Sequence, residues 1–439
     1  MRKFVYLLLF LSTLLIVPNL FAQSDDVRNI QFDTLVGGYK PTPIGVDQMT
    51  YIGTQYITHD DSSLMRYITM VVQFDIDFYA DFELVPIDSF YLATYEIKEL
   101  DLLGWQRLGA DLVVKLEAEF NGDYIRARWR LYDTKSRAEI GKDVLERPKS
   151  AWRKLGHEIS NAIVKKLTGA EGIFLTKIAF IRQLKDAKEL FMSDYDGANE
   201  IQLTNTGTIN LSPDFSPNKP EIYFTSYLAG EPQIFRVNTD TRKVEQVTRY
   251  KGMAAASAVS PDGNKIACTM TKDGNSEIYV TDLNGKVIKR ITHNPSIDTS
   301  PTWSPDGKMI AFASDRTGSP QIYITDSDGL ETRRLTYRGG YNDSPVWSRR
   351  GDRITFVIRS PSGRFDLASV DTAGVEYHLL TEVGMNENPH LSPDGKHLIF
   401  SSTRLGSSDL YTADASGRHQ RRLTRSGNCT NPTWGPYSK

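Results

Sequence analysis

"PTWSPDGKMIAF", residues Pro301 to Phe312, reads as a short strand, a tight turn and a second strand, with a Trp just ahead of the turn. The turn Ser304-Pro305-Asp306-Gly307 has relatives at Ser212-Pro213-Asp214, Ser260-Pro261-Asp262-Gly263, Ser348-Arg349-Arg350-Gly351 and Ser392-Pro393-Asp394-Gly395, and a truncated one at Trp434-Gly435-Pro436. The step is about 44 residues, with the first step about four residues longer, and a fixed period of that size with four short strands in it predicts a β-propeller.

Each period also carries "KMIAFAS"- and "QIYITD"-type strands and closes on a "TRRLT"-type strand. The second turn recurs at Asp194-Tyr195-Asp196-Gly197, Asp282-Leu283-Asn284-Gly285, Asp326-Ser327-Asp328-Gly329, Asp371-Thr372-Ala373-Gly374 and Asp414-Ala415-Ser416-Gly417, with Asn238-Thr239-Asp240-Thr241 in the remaining repeat. Asp or Asn at the first position bonds back to the backbone and Gly supplies a positive φ, so these carboxylates are hairpin chemistry rather than a catalytic set. Closing strands end at Thr204, Thr248, Thr292, Thr336, Thr381 and Thr424, which predicts six blades. The first repeat, Lys177 to Thr204, lacks an opening strand, while "NPTWGPYSK", Asn431 to Lys439, lacks the three strands that should follow it. Joining the two halves in one blade closes the ring and removes free sheet edges.

The opening residues, "MRKFVYLLLFLSTLLIVPNLFAQS", carry two cations, an apolar run and the small Ala22 before Gln23, which predicts a cleaved secretory signal over residues 1–22 with no lipid-bearing Cys after it. The remaining chain divides into an α/β domain over 23–169 and the six-bladed propeller over 170–439. In the former, Ser63 to Phe82 and Ser150 to Gly169 read as helices, with Ser150 as cap and Gly169 as terminator of the second. "ADLVVKLEAEF", "YIRARWRLYD" and "EIGKDVLERP" read as strands.

A formal charge of −2, falling to about −4 once Arg2 and Lys3 are removed, with both signs well mixed, recommends no nucleic acid partner. Cys268 and Cys429 fall two blades apart and are expected to be free thiols. His157-Glu158 has no second His at zincin spacing, so His157 is expected on a helix surface or at a domain interface. Trp303, Trp347 and Trp434 occupy one equivalent position and are expected to pack between blades.

The loops from each closing strand to the next opening strand leave one face of the ring, together with the hairpins between second and third strands. On that face the sequence stops repeating: "HNPSIDTS", "YRGGYNDS", "EVGMNEN" and "RSGNCTN". Varied polar loops around one opening are a recognition surface in the making, and His293, Asp298, Arg316, Tyr341, Asp343, Glu387, Arg404 and Thr430 are its candidate contacts. The rival class is an enzyme. No G-x-S-x-G elbow is present for a peptidase, but a lactonase-type ring would hold a divalent cation such as Ca in its channel, and Asp343, Glu387, Asn388 and Asn431 could offer the oxygens near one mouth.

"LGADLVVKLEAEF" (Leu108 to Phe120), "AWRKLGHEISNAIVKKLTG" running into "GIFLTKIAFI", the six SPDG-type repeats and the terminal "NPTWGPY" together resemble the TolB family of the Tol-Pal system. That resemblance implies a non-enzymatic periplasmic monomer without cofactor. It would bind the peptidoglycan-associated lipoprotein Pal through its propeller and TolA through an N-terminal segment, here Asp25 to Phe32, with Asp25, Asp26, Val27 and Arg28 as its first contacts. It also implies that this segment alternates between packed and released states. The opening "DDVRNIQFD" matches the family only loosely.

Overall fold

The computed structural model describes residues 40–86 and 100–438, so the signal and the Asp25 to Phe32 segment lie outside the described residues. Among the described residues no helix is long and apolar enough to cross a membrane.

The N-terminal part is one mixed sheet with helices on it. Strands β1 (Thr42–Val46), β2 (Thr50–Tyr51), β3 (Phe82–Leu84), β4 (Leu112–Asn121), β5 (Tyr124–Asp133) and β6 (Glu139–Pro148) run in the order β3-β1-β4-β5-β6, with β2 on the far end of β4. β4, β5 and β6 are the three strands expected from sequence, joined by hairpins whose positive φ falls on Gly122 and Arg137. β1 and β3 pair in parallel, each too short to show an alternation.

Helix α1 (His59–Phe78) begins four residues before the expected Ser63, because Thr58 and Asp61 form a reciprocal capping box, and it stops before Phe82, where the chain turns extended into β3. α2 is a short helix, Leu102–Arg107, which buries Trp105. α3 (Trp152–Thr168) follows a 3-10 turn over Lys149–Ala151. Ser150 therefore makes no cap, while Gly169 ends the helix at φ +74° as expected. α1 and α3 touch where Gly156 faces Val71, and a Cβ at Gly156 would come within 2.7 Å of the valine side chain.

From Lys177 onward the chain forms six four-stranded sheets. Blade one is completed by the last strand, Cys429–Trp434, which lies inside Lys177–Gln183, so the ring closes as the half-repeats predicted. The repeated closing threonine serves the backbone. Thr204, Thr248, Thr292, Thr336, Thr381 and Thr424 each accept, at 2.8–2.9 Å through the hydroxyl oxygen, the backbone N–H of Leu190, Ile234, Ile278, Ile322, Leu367 and Leu410 respectively. That bond ties each outer strand to the third strand where the ladder runs out. Cys268 and Cys429 are both free and buried, and Trp303, Trp347 and Trp434 are buried at their equivalent positions.

One anchor is misplaced by the sequence pattern. Ser212-Pro213-Asp214 is not the first turn of blade two; that turn is Ser216-Pro217-Asn218-Lys219, 44 residues before Ser260. Ser216 N–H donates to Glu221 C=O at 2.9 Å, as Ser260 does to Lys265, Ser304 to Met309, Ser348 to Arg353 and Ser392 to His397. Ser212 belongs instead to a bulge that recurs in every inner strand. Ser212, Ala256, Ser300, Ser344, Asn388 and Asn431 all have positive φ, between 48° and 54°, and the ladder shifts register at each.

Candidate functional site

The two faces of the ring have different surroundings. The α/β part sits on the turn face against blades one and six. His397, after the Ser392 turn, stacks on Phe78 at 4.9 Å and accepts the Ala80 N–H through Nε2; Lys396 pairs with Asp81, and Arg421 with Asp77 at 2.8 Å. Deeper in this junction, Asp75 of α1 is fully buried and takes hydrogen bonds from His157 Nδ1 of α3 at 2.9 Å and from the Tyr195 hydroxyl of the first blade's second turn. Burial pushes the Asp75 carboxyl upward, opposed by the charge and hydrogen bond of His157. Arg153 pairs with Asp196 beside it. His157 is thus a junction residue, the second of its two expected places.

The loop face carries none of these contacts. Its candidate residues fall into three groups. His293 is exposed in its loop. Asp298 and Arg316 are committed to each other: the fully buried carboxylate takes the guanidinium at 3.0 Å, and Arg316 stacks 4.6 Å over Tyr323. Arg404 is held the same way, donating to Asn386 Oδ1 at 3.0 Å and lying 4.3 Å over Tyr411. These two arginines fasten loops to blades. The third group, Asp343, Glu387 and Thr430, occupies register-equivalent positions one residue before the bulge on the inner strands of blades five, six and one, where the channel opens. Tyr341 donates its hydroxyl to Asp343 at 3.0 Å. Burial raises the carboxyl of Asp343, and burial together with the Asp343 charge raises that of Glu387.

Of the groups proposed for a cation, Asp343 already accepts from Ser344 N–H and the Tyr341 hydroxyl, and Asn388 Oδ1 accepts from Ser401 at 3.0 Å. Among the described residues no group of three or more His, Cys, Asp or Glu side chains could hold a metal ion.

From the bulges inward the channel holds a cavity of about 170 Å³ lined by Asp214, Trp303, Trp347, Arg349 and His390 among others. The sequence reading missed this layer; its signal was the Ser-Pro or Asn-Pro doublet placed four residues ahead of most first turns. Asp214 accepts the Val259 N–H at 2.7 Å and lies 3.9 Å from His390 Nε2, while Trp434 N–H donates to His390 Nδ1 at 3.1 Å. Burial pushes Asp214 up to about 6, against the pull of Arg349, and burial pushes His390 down to about 3, helped by the same cation. Asp214 ionises near pH 4 in the unfolded chain but only near 6 in the folded one, so it costs stability above that window and nothing below it. Asp214→Asn, whose amide oxygen can still accept from Val259, is expected to stabilise the protein at pH 7.5 by about 1–3 kcal/mol. Urea midpoints should show that gain vanish at pH 4, and a variant less stable at both pH values would mean the carboxylate is needed as an ion.

The comparisons agree with this architecture. The profile of the TolB amino-terminal domain matches residues 34–140 and that of the TolB β-propeller domain residues 164–438. A Tol-Pal system protein TolB from Geobacter sulfurreducens is 38% identical over 216 residues, 49% of this chain and 48% of that protein. The one from Paramagnetospirillum magneticum is 32% identical over 230 residues, 51% and 50%. The matched part of the chain thus spans about half the length of these curated relatives. The crystal structure of TolB from Acinetobacter baumannii superposes with a TM-score of 0.78 at 26% identity, over 91% of this chain and 97% of that one. With both domain profiles matched in order and the ring closed by its own last strand, this chain belongs to the TolB family.

Proposed function

We propose that this chain is a periplasmic, non-enzymatic adaptor of the Tol-Pal system. It holds the lipoprotein Pal on the loop face of its propeller and TolA through residues 25–32, and so helps keep the outer membrane attached and constricting at division. The observation that supports this most is the asymmetry of the ring. Its turn face is fastened to the α/β part by Asp75, His157, Tyr195 and Phe78, whereas among the described residues no such contact reaches the channel mouth. The relatives' shared designation as Tol-Pal system proteins supports the choice of partner.

The test is a pull-down with the mature protein from an envelope extract. Recovery of a peptidoglycan-anchored lipoprotein is expected, and its reproducible absence would overturn the reading. Chelator-sensitive turnover in a lactone and esterase panel would overturn it in favour of the lactonase reading. Deleting residues 25–32 is expected to leave the melting temperature and Pal binding unchanged while abolishing capture of TolA, since a peripheral segment contributes little core. Undiminished TolA binding would place that site elsewhere.

A further inference from the structure

The mouth of the channel is a ring of six register-equivalent positions, one from each inner strand: Leu211, Ala255, Thr299, Asp343, Glu387 and Thr430. Two adjacent members are acidic and none is basic. Across a six-bladed ring blade two faces blade five and blade three faces blade six, so Leu211 stands opposite Asp343 and Ala255 opposite Glu387. The mouth therefore has an acidic pair opposite an apolar pair, with Thr299 and Thr430 between them.

Among the described residues the acidic pair has no counter-charge. Asp343 takes hydrogen bonds from Ser344 N–H at 2.6 Å and from the Tyr341 hydroxyl at 3.0 Å, and no guanidinium or ammonium of the described residues pairs with it. No hydrogen bond from them reaches the Glu387 carboxylate. The other charged group acting here is Arg359, an exposed residue whose charge falls on Tyr341. Two half-buried carboxylates on neighbouring inner strands disfavour each other's charge, and a cation entering beside them relieves both at once.

Resting on the adaptor reading, we infer that the channel mouth is a socket for one lysine or arginine side chain, presented by the partner that docks on the loop face. Its charged head would lie between Asp343 and Glu387, and its aliphatic stem against Leu211 and Ala255. A bare divalent ion fits less well. Calcium asks for six to eight oxygens, whereas Asp343 already accepts two hydrogen bonds and Asn388 is bonded to Ser401.

The experiment uses the full mature chain and its Asp343→Asn, Glu387→Gln double variant, whose isosteric amides keep the shape of the mouth; a melting temperature no lower than that of the wild type checks the fold. Calorimetric titration with purified Pal is expected to show binding at least about tenfold weaker in the double variant, with a shallower salt dependence. Among alanine variants of the Lys and Arg residues of Pal, one should lose affinity to match, with no further loss when combined with the double variant. If the double variant binds Pal as the wild type does, or no Pal cation couples to it, the socket is overturned while the adaptor reading stands. Should Pal not bind the wild type at all, the adaptor reading falls, and a second arm judges the socket alone. There, n-butylammonium and methylguanidinium, with n-butanol as control, are titrated into the isotope-labelled protein. Shifts at the mouth for the two cations, absent with butanol and in the double variant, support the socket. Tight binding of calcium chloride at the mouth without any response to the two organic cations overturns it in favour of a metal site.

Discussion

Removing residues 431–439 is expected to leave a protein that aggregates. The deletion takes away four of the six residues of the innermost strand of blade one, Cys429–Trp434, and with them the pairings of Thr433 to Ala179 and of Trp434 to Ile178. Trp434 is 3% exposed, and its indole N–H donates to Thr176 Oγ1 at 2.8 Å. Its backbone N–H holds His390 of blade six, so the ring loses its seam on both sides. Loss of a buried Trp alone costs about 3–5 kcal/mol, and the strand Lys177–Gln183 becomes an unpaired edge that can recruit other chains. Light scattering and thermal melts of the truncated protein check this. A soluble truncation with an unchanged melting temperature would mean that the closure is not what holds the ring.

The second large effect is expected at the junction of the two parts. Asp75→Ala leaves the buried His157 imidazole and Tyr195 hydroxyl without their common acceptor, and leaving one partner of such a buried pair uncompensated costs about 3–5 kcal/mol. Tyr195→Phe removes a single hydroxyl from the same site and should cost less, about 1–3 kcal/mol. Urea unfolding followed by two probes reads both. Pulsed hydrogen exchange on peptides from β4 to β6 is the first probe, and the same measurement on peptides from the blade strands is the second. Separate transitions in Asp75→Ala, coincident in the wild type, would show that this cluster couples the parts. An Asp75→Ala variant as stable as the wild type would remove the cluster from the account of the fold.

The blade count, the closure and the two faces were legible in the sequence because they rest on local chemistry repeated six times. A turn needing Gly at positive φ, a β-branched strand and a threonine at a strand end each declare themselves within a few residues, and repetition separates them from chance. The long strands of the α/β part and helix α3 declared themselves in the same way, through a period of two or of 3.6 residues. Where the local signal was short or ambiguous, the reading slipped. β1 and β3 have too few residues to show a period. The capping box of Thr58 and Asp61 uses Asp where Glu or Gln is usual. Ser212-Pro213-Asp214 spells a turn while forming a bulge, because Ser-Pro suits both conformations and only the partner strand decides which one forms.

What only the tertiary structure decided is where charges meet. Arg316 and Arg404 looked like surface contacts, yet each is spent on its own blade, over Tyr323 and Tyr411. Asp75, His157 and Tyr195 are 82 and 38 residues apart in turn along the chain and form one buried cluster. Asp214 and His390 come from blades two and six and meet across blade one in the channel. Sequence dictates a residue's own turn or strand through short-range sterics and hydrogen bonds. The pairing and burial that set a carboxylate's charge depend on closing the ring, which brings together residues that nothing local connects.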